Sequence, residues 1–143
     1  MKNMKTFKKS RGGFTLIEML VVILILAILA SLIIPNLVNK ASQAKVAKAK
    51  SDIAVLQGLL QQFRLDNDRY PTTDEGLNAL RVKPSNCPNW KGPYTDKVQL
   101  DPWGNEYVYQ CPGPSGQDYL ITSYGADGAP GGEGDAADIT SDQ

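Results

Sequence analysis

The chain has 143 residues, with 15 Lys+Arg against 15 Asp+Glu, so its formal net charge is zero, and it contains no histidine. The missing imidazole removes His-based general acid–base chemistry and His metal ligands, and the charge balance lacks the basic excess of a nucleic-acid-binding protein. A chain of this length holds one soluble domain.

The first element is a leader. Residues 1–13 carry Lys2, Lys5, Lys8, Lys9 and Arg11 and no acid. Its removal leaves ten basic against fifteen acidic residues, a net charge of −5. The second element is residues 14–35. From Phe14 to Ile34 only Thr15, Glu18 and Ser31 are not apolar. At ~1.5 Å per residue that run spans about 30 Å, the hydrocarbon thickness of a bilayer, and predicts a transmembrane helix. Glu18 is the anomaly, because an unpaired carboxylate in lipid costs about 3 kcal/mol or more. A secretory signal peptide is one simple reading, but the apolar run is too long for its h-region. A plain single-span anchor is the other, with Glu18 hydrated near the headgroups. The leader's cations face Lys40, Lys45, Lys48 and Lys50 across the span, so flanking charge favours a cytoplasmic N-terminus only weakly.

Pro35 ends the apolar run and predicts a kink or a local melt. Helical character then resumes. Ile53, Leu56, Leu60 and Phe63 recur at helical spacing, with Leu59 beside them and Ser51, Asp52, Gln57, Gln61, Gln62 and Arg64 opposite. Asp66, Asn67 and Asp68, followed by Tyr70-Pro71, stop the helix. A continuous helix from about Phe14 to Asp66 would be about 80 Å long.

Residues 36–143 are predicted to form one head, in which the chain beyond the helix covers its apolar stripe. The segment Thr73 to Leu80 reads as a short helix or turn with Leu77 and Leu80 inward. Residues 106–110 and 118–124 read as strands, joined through the Pro/Gly-rich residues 112–116. The fold class expected is α+β: a long helix against two or three short antiparallel strands. Gly125-Ala126-Asp127-Gly128 and Gly131-Gly132-Glu133-Gly134 lack the lysine and helix context of phosphate loops, so catalysis is not expected. Cys87 and Cys111 are the only cysteines. The predicted span delivers them to the oxidising side of the membrane, where a disulfide is the default. Such a bridge would constrain the unfolded chain by about 3 kcal/mol. The segment from Gly125 to Asp138 gathers Asp127, Glu133, Asp135 and Asp138 among glycines. It fits either a solvated acidic tail or a calcium loop, since glycines let backbone carbonyls turn inward beside carboxylates.

The boundary Arg11-Gly12-Gly13-Phe14-Thr15-Leu16-Ile17-Glu18 resembles the processing site of type IV pilin-like precursors. That resemblance implies cleavage between Gly13 and Phe14, N-methylation of Phe14 and an assembly role for Glu18. Tyr70 to Leu80, Trp90-Lys91-Gly92-Pro93-Tyr94, Asp101-Pro102-Trp103-Gly104-Asn105-Glu106-Tyr107 and Gly125-Ala126-Asp127-Gly128 are similar, in the same order, to major pseudopilins of type II secretion systems. The segment Ser85-Asn86-Cys87-Pro88-Asn89, with Cys111, departs from that pattern and points to a variant branch or a related system.

The pseudopilin resemblance implies a single-pass bacterial inner-membrane protein with a periplasmic head, polymerising into a periplasmic filament that drives export of folded proteins. Its implied partners are further copies, minor pseudopilins, the prepilin peptidase, the inner-membrane assembly platform and membrane lipid, with no nucleic acid. It also implies one bound calcium, with Asp127, Asp135 and Asp138 as side-chain ligands and Tyr124 and Ala129 as carbonyl ligands. The other readings are a subunit of a surface type IV pilus and a monomeric membrane-anchored calcium-binding module. The short head and the acidic C-terminal loop speak against the pilus.

Overall fold

The structure, a computed structural model, describes residues 12–143 apart from the side chains of residues 33–39. The leader cations and the side chain of Pro35 therefore lie outside the described residues. Helix α1 runs Leu16–Asn67. It starts where the Thr15 hydroxyl accepts the Glu18 N–H at 3.2 Å, satisfying one of the donors that a first turn leaves open. It stops where the Asn67 side chain donates to the Phe63 carbonyl at 2.9 Å and Asp68 takes a φ of 56°. The predicted Asp-Asn-Asp stop is where the helix ends.

The chain divides into two units, Met1–Asn39 and Lys40–Gln143. In the first, Ile17, Ile23, Ile25 and Leu26 are each half exposed or more, so α1 presents apolar surface on several sides. Among the described residues no helix is long and apolar enough to cross a membrane; the apolar run with described side chains ends at Leu32.

In the second unit α1 becomes one-faced. Ala49, Ile53, Leu56, Leu60 and Phe63 are buried, and their helical spacing is that of a single stripe. Three antiparallel strands and a 3-10 turn cover it. Strands β1 (Val108–Gln110), β2 (Leu120–Ser123) and β3 (Ile139–Thr140) form one sheet in the order β1-β2-β3. Tyr109 stands opposite Ile121, and Ser123 opposite Ile139. Tyr107, Tyr109, Ile121 and Ile139 join the core, together with Leu77, Ala79 and Leu80 of the 3-10 turn Leu77–Leu80. The α+β class and the inward Leu77 and Leu80 are as expected. The strands are shorter than expected because tight turns close against them. Asp101 N–H donates to the Asn105 carbonyl just before β1, and Gly113 N–H donates to the Gln117 carbonyl just after it.

The cysteines correct an expectation. Cys87 and Cys111 are both free thiols, so the bridge inferred from the compartment is not formed. Each is held separately by the turn that follows α1. Cys87 is buried with its sulfur 2.9 Å from Arg69 Nη2. The backbone N–H and carbonyl of Cys111 are both bonded to the Thr73 hydroxyl.

Arg69 anchors this turn. It grips Glu75 with two hydrogen bonds of 2.7 and 2.8 Å, and Glu75 also accepts the Thr72 N–H at 2.9 Å. The Arg69 bonds, ahead of the Thr72 contacts, hold the Glu75 carboxyl below the usual carboxylate range in spite of its burial. A depressed folded-state pKa contributes stability above the unfolded value of about 4.3 and loses it as pH falls through the folded value. The stability gap between the protein and its Glu75→Gln variant should therefore be open at pH 6 and close below about pH 4, read by thermal melts across that range. Leu60 is fully buried on the central turn of the stripe. Leu60→Ala should cost about 2–5 kcal/mol of head stability in a denaturant melt.

Candidate functional site

Two clusters carry the residues singled out in the sequence. The first is the start of α1. Gly13 is in open space, with nothing within 4 Å of where a Cβ would stand. Phe14 is 73% exposed and, like Thr15, precedes the helix. Glu18 lies in the first helical turn, where the helix dipole favours negative charge. Its main chain is tied to Thr15. The Thr15-x-x-Glu18 spacing is a capping-box pattern, of which the Thr15 half is formed.

The second cluster is the C-terminal loop, where two 3-10 turns, Gly125–Asp127 and Gly134–Ala136, pack against each other. Tyr124 caps the first turn and Ala129 follows it. Asp127 closes this end of the loop: its Oδ1 accepts the Ala129 N–H at 3.2 Å. Asp138 closes the other, accepting the Gly131 N–H at 3.0 Å through Oδ2. At two glycines the loop backbone is packed too closely for a side chain. A Cβ on Gly125 (φ +66) would lie 2.5 Å from the Asp135 carbonyl, and one on Gly132 (φ +89) 2.4 Å from the Ala136 carbonyl.

The three predicted carboxylates do not converge. Among the described residues no three acidic or thiol groups cluster as a metal-binding set. The Ser42 hydroxyl of α1 donates to Asp135, so this carboxylate braces the loop against the helix. Asp138 behaves differently, because its Oδ1 is buried without a hydrogen-bond partner. A buried carboxylate oxygen without a donor needs a cation or a water. Hard oxygen ligands in a loop with no lysine or arginine after Lys97 are the donor set that suits calcium. By donor chemistry Asp138 and the loop carbonyls fit a calcium ion, while the three carboxylates do not gather round one point.

A supporting network escaped the sequence reading. Asp101 is 4% exposed, yet both its oxygens are satisfied. Oδ1 accepts the N–H groups of Trp103 and Asn105 at 3.0 and 2.8 Å, and Oδ2 accepts the Ser123 hydroxyl at 2.6 Å. Ser123 in turn accepts the Gly125 N–H, and Asn105 Nδ2 donates to the Gly125 carbonyl at 2.8 Å. The first turn of the loop is thus fixed through Asp101. The Asp-Pro-Trp-Gly turn chemistry was the available signal. It marks a turn but not its buried partner.

Comparison with known proteins gives these features a context. The family described as "Type II secretion system (T2SS), protein G" matches residues 36–142, and the prokaryotic N-terminal methylation motif matches residues 8–34. The chain is 48% identical to the type II secretion system core protein G of Vibrio cholerae over 139 residues, covering 95% of this chain and 94% of that protein. It is 44% identical to the core protein G of Escherichia coli K12 over 137 residues, 92% of each chain. The crystal structure of the major pseudopilin from the type 2 secretion system of enterohaemorrhagic Escherichia coli superimposes with a TM-score of 0.64 at 40% identity, covering 75% of this chain and 94% of that one. Matched over the whole head and along nearly the full length of its relatives, the chain belongs to the type II secretion system protein G family.

Proposed function

We propose that this protein is a major pseudopilin, the repeating subunit of a periplasmic filament that drives export of folded proteins. One observation carries the reading: a single chain joins the Gly13-Phe14…Glu18 boundary to a head matched throughout by the protein G family. In this reading residues 1–13 are removed as a leader, residues 14–35 hold the subunit in the inner membrane, and residues 36–143 form the periplasmic head. The apolar surface that α1 presents around Ile17, Ile23 and Leu26 supports cover by lipid before assembly and by other copies after it. Minor pseudopilins, a prepilin peptidase and an inner-membrane assembly platform are the partners such a subunit needs.

Cleavage after Gly13 creates a cationic amine on Phe14, to be methylated by the peptidase. Glu18 of a neighbouring copy is its partner: two opposite charges neutralised together cost far less in lipid than either alone. Mass spectrometry of protein recovered from filaments should give a chain starting at methylated Phe14, and an intact Met1 terminus would refute the processing. Glu18→Ala should be inserted and cleaved but yield about tenfold fewer filaments by shearing and immunoblot. The lone amine loses its partner, a penalty of the size that leaves few productive encounters. Wild-type yield from that variant would remove the pairing from the account.

The C-terminal loop holds a structural calcium in this reading. Asp127 and Asp138 supply carboxylates, Tyr124 and Ala129 supply carbonyls, and Asp135 braces the loop through Ser42. The ion contributes charge neutralisation and fixed geometry, not chemistry. Asp138 carries β3 directly behind it, so closing the loop holds the last strand on the sheet. Binding to the folded state alone stabilises it by about 2.7 kcal/mol at a hundredfold excess over Kd. Excess chelator, or Asp138→Asn, should lower the melting temperature by several degrees, and elemental analysis should find one calcium per chain. Equal melts with and without chelator would return the loop to a solvated acidic tail.

A further inference from the structure

The sheet has a free edge, and the structure determines which of its main-chain groups face outward. In an antiparallel ladder, opposed residues either exchange both hydrogen bonds or none. Ile121 spends both of its main-chain groups on the β3 side. Its carbonyl accepts the Ser141 N–H at 2.9 Å, and its N–H donates to the Ser141 hydroxyl at 3.0 Å. Tyr109, opposite Ile121, therefore turns its own N–H and carbonyl away from β2, off the outer edge of β1. Cys111 confirms the phase. Two residues further along, its N–H and carbonyl both point outward, where they meet the Thr73 hydroxyl at 2.9 and 3.0 Å. Thr73 caps one rung of the edge. Among the described residues no main-chain group of the protein pairs with Tyr109 on that side.

Beside this edge lies an open cleft of about 510 Å³. Tyr107 and Tyr109 form one wall, residues 98–100 another, and the turn that carries Asp74 and Arg81 a third. An unpaired strand edge with space beside it is the geometry of strand addition. The chemistry asks for a specific kind of ligand. The Tyr109 N–H and carbonyl are matched by another extended backbone. At ~3.3 Å per residue, about four residues reach past Tyr107 and Tyr109. Charge narrows the source. Asp74 and Glu106 on the cleft are exposed and form no ion pair among the described residues, while Glu75 is already held by Arg69. Arg81 is the one base on the cleft. A second copy's sheet ends in β1 and in β3; its β1 edge carries the same Asp74 and Glu106, and its β3 is flanked by Asp138 and Asp142, so these acids repel both.

We infer that the outer edge of β1 is a docking site for an extended, lysine- or arginine-bearing segment of another protein, which enters the cleft as a fourth strand. Main-chain bonds to Tyr109 supply the pairing, and Asp74 and Glu106 select the charge.

The test uses the full-length chain in detergent micelles and the synthetic peptide acetyl-Lys-Val-Thr-Val-Lys-amide. Amide hydrogen exchange at Tyr109 should slow about tenfold on saturation with peptide, the effect of one main-chain hydrogen bond. Of two peptides N-methylated singly at the Thr or at the Val before it, one should bind about tenfold more weakly, since adjacent amides face opposite sides of a strand. Replacing both lysines by glutamate should weaken binding by a similar factor. The double variant Asp74→Lys, Glu106→Lys changes two exposed side chains and should reverse that charge preference. Unchanged exchange at Tyr109 with millimolar peptide overturns the proposal. Protection that rises with protein concentration without peptide assigns the edge to a second copy and overturns it equally.

Discussion

The stripe from Ala49 to Phe63 on α1 sets the terms for the rest of the head. Five buried side chains on one helix face cannot be left in water, at about 1.5–3 kcal/mol for each large one. Only some seventy residues of chain remain to cover them, and few of these are in regular structure. Three strands of two to four residues and one 3-10 turn do the work. Each element contributes one to three side chains: Leu77, Ala79 and Leu80 from the turn, Tyr109 from β1 with Tyr107 just before it, Ile121 from β2 and Ile139 from β3. Such a cover has little surplus. Side-chain hydrogen bonds supply what regular secondary structure does not: Tyr109 to the Pro71 carbonyl, Trp90 to the Ala79 carbonyl, Gln57 to the Ser141 carbonyl.

The weakest part of that cover is its last piece. β3 has two residues, too few to hold a place on backbone pairing alone. It is kept there by Ile139 in the core, by the Ser141–Ile121 bonds, and by the loop that delivers it. That loop is tied to the body at both ends. The Asp101–Asn105–Ser123 network fixes Gly125, and Ser42 reaches Asp135 from the helix. Asp138 Oδ1, a buried oxygen without a hydrogen-bond partner, stands immediately before β3. A partner for that atom would act one residue from the strand with the fewest bonds of its own, so an ion at this point would have leverage on the last piece of the cover.

The parts of this architecture that follow from periodicity were legible in the sequence. The stripe, the Asp66–Asp68 stop, the inward Leu77 and Leu80 and the two hairpin strands each rest on local spacing or local turn chemistry. The parts that depend on distant partners were not. β3 has no period to read in two residues. Asp101 looks like a turn residue, and only the fold brings Ser123 to its second oxygen. The cysteines show the same limit from the other side. Compartment and count argued for a bridge, but pairing depends on where two backbones point. Arg69 holds the Cys87 sulfur, while Thr73 holds the main chain of Cys111. For the candidate ion site, composition gave the loop and its carboxylates. It could not show that Asp135 faces Ser42 while Asp138 keeps a bare oxygen.

A head that uses its short strands so sparingly also leaves an edge. β1 is bounded by tight turns on both sides, and only its Cys111 end is covered, by a single threonine hydroxyl. Proteins usually blunt such an edge with a lysine, a proline or a bulge. Here the exposed strand residues Val108 and Gln110 are neutral, and the nearest charges, Glu106 and Asp74, are acidic. Those acids deter pairing with β3 of another copy, a neutral strand flanked by Asp138 and Asp142. Against a basic partner the same acids offer no deterrent. One constraint, the thin cover over α1, therefore produces both the loop that must be closed and the edge that stands open.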